Sequence, residues 1–232
     1  MEVNYGGFLG HSLVDWPGRS ACVVFLRGCI LKCPRCINEH LQNGSSKVPI
    51  EDIFKQIDKV SKTLSAVMIS GGECLLQPEA VMEIADYAHQ KNLDVGIETS
   101  GCTCRNLKKV LPGIEFVLMS IKSDFHQLSY AQAAGVGNGQ LMSNNVLASL
   151  DALYGWGWDG EICLATPVFK DNLYQLPAIY KKLNQYVSRD TPWRLIQGLY
   201  PDKSQEPITI DEISTQAKLL QRDGHSHVKV VV

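Results

Sequence analysis

The stretch ACVVFLRGCILKCPRC, residues 21–36, joins a fold signal to a chemical one. Ala21 to Arg27 is a short apolar run stopped by Gly28, the pattern of a buried strand. Directly after it, Cys29, Cys33 and Cys36 follow the spacing C-x3-C-x2-C. Cysteine usage in this chain gives roughly 0.01 chance occurrences of such a set. Spacing of i, i+4, i+7 would also line one face of a buried helix. Pro34 opposes that reading, because proline inside a helix costs ~3 kcal/mol. A loop wrapped on a metal is the better reading. Zinc prefers four protein ligands, and His40 is the nearest fourth donor, so zinc stays open as a rival. A cubane cluster held by three thiolates keeps one iron free for an outside ligand.

Working outward from this stretch, strand and helix patterns alternate. Strands are predicted at residues 66–70, 93–99, 116–121, 161–165 and 193–197, with a terminal strand over 228–232. Helices are predicted over 50–62, 78–91, 103–111 and 172–187, with another marked by Val146, Leu150 and Leu153. Thr209 and Glu212 form a capping box that opens a last helix, with Ile213, Ala217 and Leu220 on one face. Residues 123–142 show weak periodicity and read as a long loop. About six strand–helix units imply an α/β fold with a parallel sheet covered by helices. Six units are fewer than a closed eight-unit barrel needs. The expectation is a single domain, residues 1–232, folded as a partial (β/α)6 barrel, with a flat doubly wound sheet as the alternative. In either fold, chemistry belongs at the C-terminal ends of the strands. Cys29 follows the first of these strands, Gly71-Gly72-Glu73 follows the second, and Glu98-Thr99 closes the third.

The bulk numbers narrow the class. The chain has 232 residues, 45% of them hydrophobic, and a net charge of −2. No basic run asks for a nucleic-acid partner. No apolar run approaches ~18 residues, so no membrane span is expected. Met1-Glu2-Val3-Asn4 lacks a signal-peptide pattern, and a cytoplasmic location follows as the expectation. In such a setting the 8 cysteines point to metal or redox chemistry more than to disulfides. Cys22 and Cys163 fall in strand patterns and read as core. Cys74, Cys102 and Cys104 fall at strand ends. They read as reduced thiols without a catalytic part, or else as an active-site thiol or a partial second cluster site.

The three-cysteine loop resembles that of the radical S-adenosylmethionine (SAM) superfamily. The chain is more narrowly similar to the activating enzymes of glycyl radical enzymes, above all the activating protein of anaerobic ribonucleotide reductase. Ser12 to Arg19 (SLVDWPGR), Val23 to Cys29, Ile69 to Glu73 (ISGGE) and Ile97 to Gly101 (IETSG) carry that likeness. It runs to about Lys122 and thereafter rests on the alternating pattern and on Gln197.

The resemblance implies a [4Fe–4S] cluster on Cys29, Cys33 and Cys36, with SAM chelated at the open iron. It implies reductive cleavage of SAM to methionine and a 5′-deoxyadenosyl radical, which takes hydrogen from a glycine of the partner. Flavodoxin or ferredoxin would donate the electron. Gly71, Gly72 and Glu73 would line the site of the SAM amino group, against the alternative of a plain strand-ending turn. Lys122 would meet the SAM carboxylate, or be an ordinary exposed lysine. Asn38 matches the group, or is a turn asparagine. Glu98 and Thr99 would face the carboxylate through a bound cation, or be a polar strand end. Four positions depart from the family pattern. Arg35 stands for an aromatic residue that meets adenine, Ile37 for a histidine, Cys74 for a proline and Ser120 for an aspartate. The other candidate functions are a small-molecule radical SAM enzyme similar to 7-carboxy-7-deazaguanine synthase, another radical SAM peptide modifier, and a zinc-binding interaction module.

Overall fold

The computed structural model describes residues 1–155, 157–200 and 205–231. In chain order the elements are β1 (Glu2–Ser12), β2 (Ala21–Leu26), α1 (Glu39–Gln42), β3 (Lys47–Pro49), α2 (Ile50–Val60), β4 (Ala66–Gly71), α3 (Pro78–Gln90) and β5 (Asp94–Thr99). They continue as α4 (Cys104–Val110), β6 (Phe116–Ser120), α5 (Gln127–Ala134), α6 (Gly139–Gly155), β7 (Glu161–Val168), α7 (Leu176–Leu183), β8 (Trp193–Gln197), α8 (Ile210–Arg222) and β9 (Val228–Val231). The strands form one sheet in the order β3-β1-β2-β4-β5-β6-β7-β8-β9.

β2 pairs in parallel with β4, and from β4 onward each strand pairs in parallel with the next one in the chain. A doubly wound sheet would reverse its order at a switch point. This one never does, so the sheet winds in one direction, as a partial barrel does. Because side chains alternate across a strand, the two faces build separate cores. Cys22, Val24, Val67, Ile69, Val117, Met119 and Leu164 point outward and pack in the large core that also holds the helices. Ala21, Val23, Ala66, Met68, Phe116, Leu118, Cys163 and Ala165 point inward and form a smaller second core. Trp16 joins that inner core from the loop between β1 and β2, stacking on Phe116 with ring centroids 4.7 Å apart. The half-barrel is thus sealed at the N-terminal ends of its strands, and its mouth lies at their C-terminal ends.

Three features depart from the sequence expectation. The sheet is mostly rather than wholly parallel, since β1 pairs antiparallel with β2 and β3. β1 carries three glycines and two irregular steps in its register, which blur the period-2 signal. Residues 123–142 hold α5 and the start of α6 rather than a loop. The expected helix over 172–187 contracts to α7 preceded by a short 3₁₀ turn at Leu173–Gln175. The capping box of α8 is present, with both Thr209 and Glu212 bonded reciprocally. Val232, expected to end the last strand, lies outside the described residues.

Candidate active site

Cys29, Cys33 and Cys36 lie on one loop at the C-terminal end of β2, each partly buried and none in a disulfide. Burial pushes the Cys29 thiol up to about 11. It raises Cys33 too, although Lys122 pulls the other way. Thiolate is the form that binds metal, so a metal must displace these protons. Among the described residues no three His, Cys, Asp or Glu side chains converge on a point that one ion could occupy. Tetrahedral zinc needs ligands about 2.0–2.3 Å from one centre. His40, the fourth donor of the zinc reading, is exposed. A cubane places each thiolate on a different iron, so its ligands stand further apart. Three soft sulfur donors on a single loop suit an iron–sulfur cluster.

The Gly71-Gly72 turn sits against this loop, and its glycines are required for a reason inside the protein. Gly71 has φ +130°, and a Cβ there would overlap the Leu26 carbonyl. A Cβ on Gly72 would overlap the Gly28 carbonyl. The close approach lets the Gly72 amide donate to Leu26 O at 3.0 Å and the Glu73 amide to Gly28 O at 2.8 Å. The end of β4 therefore seats the chain that leads into Cys29. Asn38 reaches the same turn, its Nδ2 donating to Gly71 O at 3.4 Å.

Glu73 is 1% exposed. Its Oε1 accepts from Thr99 Oγ1 at 2.7 Å and from the Leu75 amide at 3.3 Å. Its Oε2 accepts from the Ser100 amide at 2.9 Å and from the Ser100 hydroxyl. Both oxygens are thus occupied, and the carboxylate ties the end of β4 to the end of β5. Thr99 is buried with it, on the outer face of the strand. Glu98 takes the inner face and accepts from Ser70 Oγ at 2.7 Å. Burial raises its carboxyl, with Ser70 and Lys122 opposing. The structure therefore separates Glu98 from Thr99, adjacent in sequence, onto opposite faces.

Lys122 follows β6 and is half-buried. Burial works against its charge, but Cys33, Glu98, Cys36 and Cys102 together hold the pKa above the usual lysine value. Among the described residues no carboxylate lies within ion-pair distance of its ammonium. The mouth thus contains three thiols, a cation without an acidic partner and a carboxyl group, arranged around backbone held close by Gly71 and Gly72.

Some residues here were assigned no role from the sequence. Ser100, within the IETSG stretch, completes the Glu73 site. Tyr130 on α5 is fully buried with its hydroxyl 3.8 Å from Cys102 Sγ. It falls in a segment whose helix the periodicity did not reveal. Cys74 is buried and donates to Glu98 O at 3.3 Å, Cys102 is also buried, and Cys104 is partly exposed. All three are free thiols. Cys22 and Cys163 lie buried in the cores.

A one-way parallel half-barrel that presents a three-thiol loop at its mouth is an arrangement similar in fold to radical SAM proteins. Consistent with that class, the fold is similar to a radical SAM methyltransferase from Sphaerobacter thermophilus, with a TM-score of 0.74 at 14% identity over 93% of this chain and 67% of that one. The chain belongs to the 4Fe-4S single cluster domain family, whose profile matches residues 14–141. A Methanocaldococcus jannaschii protein named as a glycyl-radical enzyme activating enzyme is 34% identical over 128 residues, 54% of this chain. The chain spans about half of that relative, 52% of its length. The pyruvate formate-lyase-activating enzyme of Clostridium pasteurianum is 28% identical over 74% of this chain and 73% of its own length. Together these likenesses imply a [4Fe–4S] cluster and SAM as cofactors. No helix among the described residues is long and apolar enough to cross a membrane.

Proposed function

We propose that this chain is an activating enzyme that cleaves SAM reductively and places a glycyl radical on a partner enzyme, with anaerobic ribonucleotide reductase as that partner. The observation that carries the proposal is the loop of Cys29, Cys33 and Cys36 near Lys122, which has no carboxylate within ion-pair distance among the described residues, at the mouth of a half-barrel. When bound, the cluster and SAM supply an electron and a carbon–sulfur bond whose cleavage yields an oxidant strong enough to take hydrogen from a glycine Cα. The protein supplies binding, orientation and exclusion of water.

Cys29, Cys33 and Cys36 hold the cluster. The Lys122 ammonium neutralises the SAM carboxylate. Gly71 and Gly72 bring backbone, and so carbonyl acceptors, to the amino group. The Glu73 carboxylate orients this turn from behind, with Thr99 as one of its donors. Asn38 fixes the turn from the loop side. Glu98 faces the same space and sets its charge. Trp16 closes the far end of the lumen. Reduced flavodoxin or ferredoxin is the electron donor.

The test is a mixing experiment. Anaerobically reconstituted chain, SAM and reduced flavodoxin are combined with an oxygen-free class III reductase, and the sample is examined by electron paramagnetic resonance. The expected result is a glycyl radical on the reductase. If 5′-deoxyadenosine forms but the reductase stays diamagnetic, that partner is wrong. If none forms, SAM cleavage itself is wrong.

A further inference from the structure

Arg35 lies between Cys33 and Cys36, and its side chain crosses the mouth. Its guanidinium makes a bidentate pair with Asp171, NH1 to Oδ1 at 2.7 Å and NH2 to Oδ2, across 136 residues of sequence. The same group lies over the Phe169 ring at 4.5 Å and the Tyr200 ring at 5.1 Å. Those two rings meet edge to face, with centroids 5.4 Å apart. Phe169 and Asp171 follow β7, and Tyr200 follows β8. One side chain of the cysteine loop therefore touches the loops after two strands on the far side of the sheet.

The receiving surface is set before Arg35 arrives. Asn172 Oδ1 accepts from the Phe169 amide at 2.8 Å, and Asn172 Nδ2 donates to Pro167 O at 3.0 Å, which fixes the turn after β7. The Gly198 amide donates to Val168 O at 2.8 Å. A Cβ on Gly198 would press on the Phe169 ring, at 2.5 Å from its nearest carbon, so glycine there lets the two loops close together. The first half of the cysteine loop has backbone anchors of its own, the Cys29 amide to Gln42 O at 3.2 Å and the Lys32 amide to Ala134 O at 2.9 Å. Its second half has the Arg35 contacts and Asn38. No other ion pair joins this loop to the rest of the chain among the described residues.

We propose that Arg35 is a latch: it clamps the second half of the cysteine loop across the mouth onto the loops that follow β7 and β8, and so positions Cys33 and Cys36. The geometry stands by itself. Its consequence for a bound cluster rests on the function proposed above. A planar guanidinium is suited to this task because it can pair with a carboxylate in its plane while stacking an aromatic ring on its face. Lysine offers only a point charge. The latch also joins the cysteine loop to the two loops after β7 and β8, which the chain does not link locally.

The test uses Arg35→Ala, Arg35→Lys, Asp171→Asn and the exchanged pair Arg35→Asp with Asp171→Arg. Hydrogen exchange of the metal-free protein is read first. The latch requires exchange over residues 30–37 and over 169–172 to rise together, about five- to tenfold, in Arg35→Ala and less in Arg35→Lys. Far-UV circular dichroism checks the fold. If Arg35→Ala does not fold, Asp171→Asn carries the same test. The second reading is iron release to a chelator from reconstituted protein, with the spectrum of the reduced cluster recorded alongside. Release should accelerate in each single variant, and the exchanged pair should recover part of the loss. Unchanged exchange in both segments overturns the latch. So does a rise confined to one segment, or a chelation rate and cluster spectrum identical to wild type. A wild-type chain that holds no cluster would instead overturn the proposed function, while the exchange result still judges the latch.

Discussion

The inner face of the half-barrel changes character along its length. At the N-terminal ends of the strands, Ala21, Ala66, Met68 and Phe116 pack around Trp16, which is 2% exposed. Two steps further along the same strands, the inner positions are Ser70 on β4 and Glu98 on β5, followed by Lys122 beyond β6. One end is a dry aromatic plug and the other a set of polar groups without a full complement of partners. Stability and chemistry are therefore housed in different parts of one lumen, and substitutions at the two ends should fail in different ways.

The largest effect is expected at the mouth. Cys33→Ala should abolish both the cluster and SAM cleavage while leaving thermal unfolding of the metal-free protein near wild type. Continued 5′-deoxyadenosine production would remove Cys33 from the ligand set. At the closed end, Trp16→Ala should cost about 3–5 kcal/mol in urea unfolding, as large-to-small core substitutions do. Its cluster should still assemble below the denaturation midpoint. A cluster signal lost under native conditions would show that the two ends are not independent.

Gly72 sharpens the contrast, because it is a packing residue at the chemical end. Gly72→Ala drives a Cβ into the Gly28 carbonyl beside Cys29. Overpacking of this kind costs about 1–3 kcal/mol, and here it should also lower the iron retained after reconstitution. Full iron content in a destabilised variant would show that the turn does not seat the cysteine loop.

The smallest effect lies outside the lumen. His225 is fully buried between Tyr180 and Trp193, its ring edge-on to both aromatic rings. Burial lowers its pKa below the usual histidine value. The unfolded chain then takes up the proton more readily. Stability is complete above about pH 6.5 and falls as the pH drops from there toward the folded pKa. The chain should unfold more readily at pH 5 than at pH 7 on this account, and His225→Phe should flatten the difference. An undiminished slope in that variant would assign it to other groups.

Much of the fold was legible because its signals are local. Val23 and Val24 in an apolar run, Pro34 between cysteines, Gly71-Gly72 after a strand and the Thr209–Glu212 capping box each act within a few residues. The three candidate ligands share one loop, so their spacing was visible in the sequence. What could not be read depends on long-range contacts. β1 is held by pairing with β2 and β3, while its glycines obscure the alternation. α5 lacks a strong apolar stripe, yet Tyr130 buries beside Cys102 and Phe125, and the Ala134 carbonyl accepts from the cysteine loop at Lys32. The role of the Glu73 carboxylate appears only when Thr99 and Ser100 arrive from the next strand. Arg35 looked like a missing aromatic residue. Its aromatic and acidic partners lie more than 130 residues away, where no local pattern points back to it.

The central claim is that three thiolates hold a cubane with one iron open to SAM. Electron paramagnetic resonance of the anaerobically reconstituted, reduced protein, recorded with and without SAM, tests it most directly. The expected result is a reduced [4Fe–4S] signal whose g values shift when SAM is added. A protein with no such signal, or one whose signal SAM leaves unmoved, would contradict it.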